Sequence, residues 1–346
     1  MSRAPGSRRC SPEPAGDPRP ARATVVTYFA LEGPPRRGPP SLLPPVDSNP
    51  QDPARGDKRA PRPSLRAPWS EFREALDAAG FHPSRRLGQN FLLDDNMARA
   101  IAQDAGVESG RFVLEVGPGC GFLSVHLADR GAKLLCAEID ARLAPIAARF
   151  LEPFPDAEVV LGDVLASKSR IAAHVLERLP AHSDWTLCSN LPYSISGPFL
   201  ATVAQLEHPP GRTCCLVQKE VAERLAAAPG TPAWGPLTAS FQEAFEVTLG
   251  RLVPPQLFWP RPKVDSAVFL AELRPDVAPA PIRGARIGFY RDLLQRRRQG
   301  LRRVLADMVG KERCASAIEA LGLDPQVRAE TLGLEALRAL HAASAG

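Results

Sequence analysis

The run Arg111-Phe-Val-Leu-Glu-Val-Gly117-Pro-Gly119-Cys-Gly121-Phe122 restricts the fold more than any other stretch of the chain. A short apolar strand ends in three glycines at alternate positions, and a helical pattern follows with Leu123 and Leu127 on one face. Glycine belongs where the backbone must turn sharply and a ligand approaches with no Cβ in the way. A strand that turns through glycines into a helix is the opening unit of an α/β fold with a parallel sheet. The spacing is GxGxG, whereas dinucleotide-binding enzymes use GxGxxG to bring a pyrophosphate onto a helix N-terminus. The pattern therefore favours a nucleoside ligand without phosphates over a nicotinamide dinucleotide.

Further strand-like runs place acids in the same row. Lys133-Leu-Leu-Cys-Ala-Glu138-Ile-Asp140 ends in carboxylates about 20 residues after the glycines, where an acid can accept both ribose hydroxyls. Glu158-Val-Val-Leu-Gly162-Asp163 ends in an acid that can accept a hydrogen bond from an adenine amino group. Trp185-Thr-Leu-Cys-Ser189 and Thr213-Cys-Cys-Leu-Val-Gln218 read as the fourth and fifth strands. Ligands of open α/β sheets sit at the carboxyl ends of the strands, so all of these ends converge on one site.

The fourth strand runs into Asn190-Leu191-Pro192-Tyr193. The residue before proline is held extended, which sets the Asn190 side-chain carbonyl beside the Leu191 backbone carbonyl. Two acceptors side by side can grip one amino group, and Tyr193 adds a flat face. A nucleobase offers the matching exocyclic NH2 and π surface.

The 346 residues allow two domains, and charge and proline divide them unevenly. Residues 1–68 hold 16 of the 37 prolines and a net charge of +6, with almost no periodic apolar pattern, so a disordered Pro/Arg-rich tail is expected there. Its acids Glu13, Asp17 and Glu32 are unlike a transit peptide, no signal-peptide core follows, and no segment is long enough to span a bilayer, so the cytoplasm is the expected location. A helix is predicted from Trp69 to Gly80 with Ser70 as its cap, and another from Asp94 or Asp95 to Gly106. The Rossmann-like part is expected to span 69–280, and from 281 to 346 the period turns helical. Arginines at 296, 297, 298, 302 and 303 sit in that helical part and can meet phosphate. The seven cysteines show neither disulfide nor zinc spacing, so buried reduced thiols and no metal site are expected.

Taken in order, Arg86-Leu-Gly-Gln-Asn-Phe-Leu92, Glu115 to Gly121, Ala137-Glu-Ile-Asp140, Gly162-Asp163, Asn190 to Ser196, Gln218 to Leu225, Phe258 to Ser266 and Arg328 to Leu332 resemble the small-subunit ribosomal RNA adenine N6-dimethyltransferases of the KsgA type. The resemblance covers roughly 82–340. It implies a Rossmann-like S-adenosyl-L-methionine-dependent methyltransferase domain followed by a small all-helical RNA-binding domain. It also implies cofactor contacts at Asn90, Leu92, Gly117, Glu138, Asp163 and Asn190, with Gly119 in the same loop. Asn190, Leu191, Pro192 and Tyr193, with Phe258 on the other face of the base, are the implied catalytic set, and Arg85, Arg86, Arg296, Arg297, Arg298 and Arg302 the candidate RNA contacts. The implied substrate is two adjacent adenosines in the 3′-terminal hairpin of small-subunit rRNA, met by a monomer on an assembling particle. Departures from the family pattern are Ser194 where Asn is frequent, Trp234-Gly235-Pro236 where Tyr-Gly-Arg stands, and Gln295-Arg-Arg-Arg-Gln-Gly300, all of which bear on ribosome docking. Two alternatives share these motifs: the large-subunit rRNA adenine methyltransferases of macrolide resistance, and assembly factors that bind without catalysis.

Overall fold

Seven strands build the central sheet: β1 (Phe112–Val116), β2 (Lys133–Glu138), β3 (Ala157–Leu161), β4 (Trp185–Asn190), β5 (Arg212–Gln218), β6 (Phe245–Val253) and β7 (Ser266–Leu273). Their order across the sheet is β3-β2-β1-β4-β5-β7-β6. Strands β1 to β5 pair parallel, and β7 runs antiparallel to both β5 and β6. The strand order reverses between β1 and β4, which opens a crevice at their carboxyl ends. The interior strands are apolar almost throughout because both faces are covered. Alternate residues feed two cores: Leu114, Leu187, Cys215 and Val217 enter one, and Val113, Cys188, Cys214 and Leu216 the other.

The computed structural model describes residues 66–84 and 86–345. The expected tail therefore lies outside the described residues except at its end, where Arg66 donates to the Leu93 carbonyl and lies 4.9 Å from the Phe122 ring centroid. The first helix is Trp69–Ala78, ending just short of the Gly80 that the pattern suggests, and its N-cap is Pro68 rather than Ser70. Proline serves there because its missing N–H costs nothing at a helix start. The next helix, Asp95–Asp104, is capped by Asp94, whose carboxylate accepts the Met97 N–H at 2.7 Å.

Helices Ala280–Leu294, Leu301–Val309, Lys311–Ala320 and Leu334–Ser344 follow the sheet. They enclose a third core, and Trp234 and Ala239 from the preceding region fill part of it. Ala239 belongs to a helix, Pro236–Gln242, that the Pro/Gly-rich sequence around it hides. Six cysteines are buried free thiols, and Cys10 lies outside the described residues. Among the described residues, no helix is long and apolar enough to cross a membrane.

Candidate active site

The carboxyl ends of β1 to β4 and the loop 86–92 surround a cavity of about 900 Å³, its open mouth included. Gly117 (φ 68°) and Gly119 (φ 61°) form its floor in left-handed conformations. A Cβ on Gly117 would lie 2.8 Å from Pro192 Cγ, and one on Gly119 would lie 2.6 Å from the Phe91 ring. The glycines thus let two other motifs close directly onto the β1 turn.

Glu138 ends β2 almost fully buried. Its Oε2 accepts the Gly119 N–H at 3.0 Å and its Oε1 the Asp140 N–H at 2.9 Å, leaving each oxygen a second lone pair. Burial pushes its carboxyl up to about 7 despite those bonds. Glu115, on β1 and lining the same cavity, is also raised to about 7 by burial. Asp163 is exposed at the mouth, and its Oδ1 accepts the Leu165 N–H at 2.9 Å. Asn90 and Leu92 close the opposite wall, Leu92 as part of a core cluster.

The catalytic stretch is fixed from below. Ser189 Oγ donates to the Val116 carbonyl at 2.6 Å, and the Leu191 N–H donates to the Leu216 carbonyl at 3.0 Å, so β1, β4 and β5 hold it together. Asn190 Nδ2 donates to the Asn90 carbonyl at 3.0 Å, which leaves Oδ1 as the acceptor. Tyr193 is anchored through its hydroxyl to Ser266 Oγ. Its ring lies on the wall shared by this cavity and a second hollow lined by Gln218, Trp259, Arg261 and Lys263.

Phe258 departs from expectation. It is 4% exposed, pairs with Leu92 in a two-residue antiparallel ladder and packs in the core, so its ring lines neither cavity. Side chains alternate along a strand, and with Phe258 turned inward it is Trp259 that faces the hollow. The arginines separate as well. Arg86, Arg298 and Arg302 are exposed, whereas Arg85 lies outside the described residues. Arg296 pairs with Asp307 at 2.8 Å. Arg297 is half-buried and donates to the Pro232 and Trp234 carbonyls, so it anchors a loop. Trp259 and Ser266 belong to the Phe258–Ser266 motif, but the sequence assigned neither a role; the roles of Gln89 and Arg142 were missed. Gln89 lies within the Arg86–Leu92 motif and Arg142 just beyond Ala137–Asp140, and no pattern there tells an anchor from a surface group.

An open sheet in this order, with the glycine turn after β1 and an acid ending β2, is the Rossmann-like arrangement expected of an S-adenosyl-L-methionine-dependent methyltransferase. Its residues fit that cofactor: the glycine floor has no room for side chains, Glu138 keeps lone pairs for a ribose, and the walls mix apolar and polar groups. The chain belongs to the ribosomal RNA adenine dimethylase family, whose model matches residues 80–338. It is 38% identical over 304 residues to ribosomal RNA small subunit methyltransferase A of Deinococcus radiodurans, covering 86% of this chain and 97% of the relative. It is 35% identical over 269 residues to the protein of the same name from Geobacillus thermodenitrificans, covering 76% and 91%. In shape it is similar to a dimethyladenosine transferase from Plasmodium falciparum (TM-score 0.62, 22% identity, 72% of this chain and 95% of that one). It is also similar to the 23S rRNA methyltransferase ErmE (TM-score 0.56, 24% identity, 74% and 100%). These two likenesses concern the fold alone. Family membership makes the chain an S-adenosyl-L-methionine-dependent enzyme that dimethylates adenine in rRNA.

Proposed function

We propose that this enzyme dimethylates N6 of two adjacent adenosines in the 3′-terminal hairpin of small-subunit rRNA, acting as a cytoplasmic monomer on an assembling small subunit. The names of the curated relatives support the small subunit over the large one. Asn90, Leu92, Gly117, Gly119, Glu138 and Asp163 would hold the cofactor, with Asn190 at its edge. When bound, S-adenosyl-L-methionine supplies an electrophilic methyl group on a sulfonium.

The orientation of one amide carries the reading of the site. With Nδ2 tied to the Asn90 carbonyl, Asn190 offers Oδ1 to the cavity. The adenine N6 lone pair is delocalised into its ring and is a poor nucleophile. Accepting both N6–H bonds before the first transfer, and the one that remains before the second, at Asn190 Oδ1 and the Leu191 carbonyl favours a pyramidal nitrogen and aims its lone pair into the cavity. A proton leaves N6 for each methyl gained. Pro192 holds Leu191 extended for that purpose, and Tyr193 stacks on the base, worth roughly 1–3 kcal/mol. Positioning and fixed dipoles then do most of the catalysis.

The test is labelled-methyl transfer to undermethylated small subunits with the modified nucleotides mapped. Asn190→Ala is expected to keep cofactor affinity within about tenfold and to lower transfer by about 100-fold or more. Near-normal turnover of that variant would overturn the mechanism, and modification confined to large-subunit RNA would overturn the substrate.

A further inference from the structure

The loop that carries Asn90 is tied to the sheet through Gln89, which also lines the cavity. Gln89 Oε1 accepts the Ser84 N–H at 2.8 Å, and Gln89 Nε2 donates to Asp140 Oδ2 at 3.1 Å. Asp140 is 7% exposed, and the Arg142 guanidinium meets its two carboxylate oxygens at 3.0 and 2.8 Å. That guanidinium also lies 4.9 Å from the Phe81 ring centroid, so it is held on a second side. The Asp140 backbone N–H donates to Glu138 Oε1 at 2.9 Å. One residue beyond Gln89, the Asn90 carbonyl accepts the Asn190 amide. A run of hydrogen bonds therefore leads from the acid that ends β2, through Asp140 and Gln89, to the amide that ends β4.

We infer that Gln89 is a positioning residue which, with Asp140 and Arg142, couples the cofactor half of the cavity to the orientation of the Asn190 carbonyl. The inference rests on the reading of this cavity as the methyl-transfer site. Its physical basis is the two-fold character of an amide. If the loop drifts, the Asn90 carbonyl no longer holds Asn190 Nδ2, and the side chain can rotate to present NH2 where the base amino group needs an acceptor. Donor would then face donor. Asp140 is a dependable acceptor for Gln89, because the Arg142 hydrogen bonds hold its carboxyl down to about 2.

The experiment measures cofactor affinity by calorimetry and kcat at saturating cofactor for Gln89→Ala, Gln89→Glu, Asp140→Asn and the double variant Gln89→Glu/Asp140→Asn. Gln89→Ala is expected to weaken cofactor binding several-fold and to lower kcat roughly tenfold, with the melting temperature little changed. Gln89→Glu keeps the shape but sets a carboxylate against that of Asp140, and it is expected to do worse than Gln89→Ala. Adding Asp140→Asn removes the like-charge contact but turns an amide NH2 towards the Arg142 donors, so only part of the loss should return. Wild-type behaviour of Gln89→Glu, or wild-type cofactor affinity and kcat in Gln89→Ala, overturns the coupling and leaves Gln89 as a packing group. A wild-type enzyme that methylates no rRNA overturns the functional reading instead, and the cofactor affinities of the same variants still decide the coupling.

Discussion

Glu115 near the end of β1 and Glu138 at the end of β2 are 1% and 3% exposed. Burial raises both carboxyls to about 7, and each feels the charge of its acidic neighbours. Both folded-state values lie above the unfolded value of about 4.3, so the native protein binds more protons than the unfolded chain between those limits. Their contribution to stability is complete below about pH 4.3 and is lost as pH rises through 7. The melting temperature of the ligand-free protein is accordingly expected to fall between pH 5 and 8.5, and Glu115→Gln, neutral and nearly isosteric, should flatten that fall. A melting temperature indifferent to pH in both proteins would show that these carboxyls ionise without cost. Asp140 behaves oppositely: its depressed carboxyl stabilises the fold above its unfolded value of about 3.9, and that contribution disappears only as pH falls through about 2. The sequence placed Glu138 and Asp140 at a strand end but gave Glu115 no role and could not separate their titrations. Burial and an arginine partner are tertiary facts, invisible in spacing.

Contacts between motif-bearing loops decide how the elements close over the site. Gly119 admits the Phe91 ring, and Phe91 stacks beside Trp259 with ring centroids 5.9 Å apart. Trp69 of the first helix meets the same tryptophan at 5.3 Å. Gly119→Ala places a methyl into that ring from a left-handed backbone, and it is expected to destabilise the protein by about 1–3 kcal/mol. In a denaturant titration, Phe91→Leu added to Gly119→Ala should recover part of the loss by removing the ring edge. If the two effects simply add, the glycine matters for its backbone alone. The strands of the sheet were legible because buried parallel strands write long apolar runs, and the Asp94 cap because its chemistry is local. The Pro236–Gln242 helix and the Leu165–Ser167 and Arg170–Ile171 hairpin were not, since seven residues or fewer give no usable period. The inward turn of Phe258 was missed for another reason: a two-residue ladder with Phe91–Leu92 sets which face each aromatic takes, and only the fold brings that partner near.

At the scale of the whole molecule, the helical C-terminal part is joined to the sheet part by buried charge. Glu243 has no exposed surface and accepts from Arg286 at 2.8 Å, Tyr290 at 2.9 Å and Arg338 at 3.0 Å. Arg283, also buried, donates to the Ala204 and Leu206 carbonyls beyond the helix Ser196–Val203. Charges this deep survive because Glu243 is ion-paired and Arg283 is hydrogen-bonded to backbone carbonyls. The arginine run 296–298 divides along the same line between holding the molecule together and meeting a partner, a division its sequence does not reveal because three adjacent arginines look alike. Arg297 spends its donors on the Pro232 and Trp234 carbonyls and faces Glu330 at 3.6 Å, while Arg298 and Arg302 stay exposed. Arg297→Ala is therefore expected to lower the melting temperature and to leave the salt dependence of small-subunit binding intact. Arg298→Glu combined with Arg302→Glu should do the reverse: the melting temperature stays, affinity falls, and the slope of log K against log salt shrinks by roughly 0.7–0.9 for each phosphate no longer neutralised. Binding measured between 50 and 200 mM salt, as an order-of-magnitude window, separates these outcomes. An unchanged slope in the double variant would assign Arg298 and Arg302 to solvent and move the RNA footprint towards Arg261 and Lys263 at the second hollow.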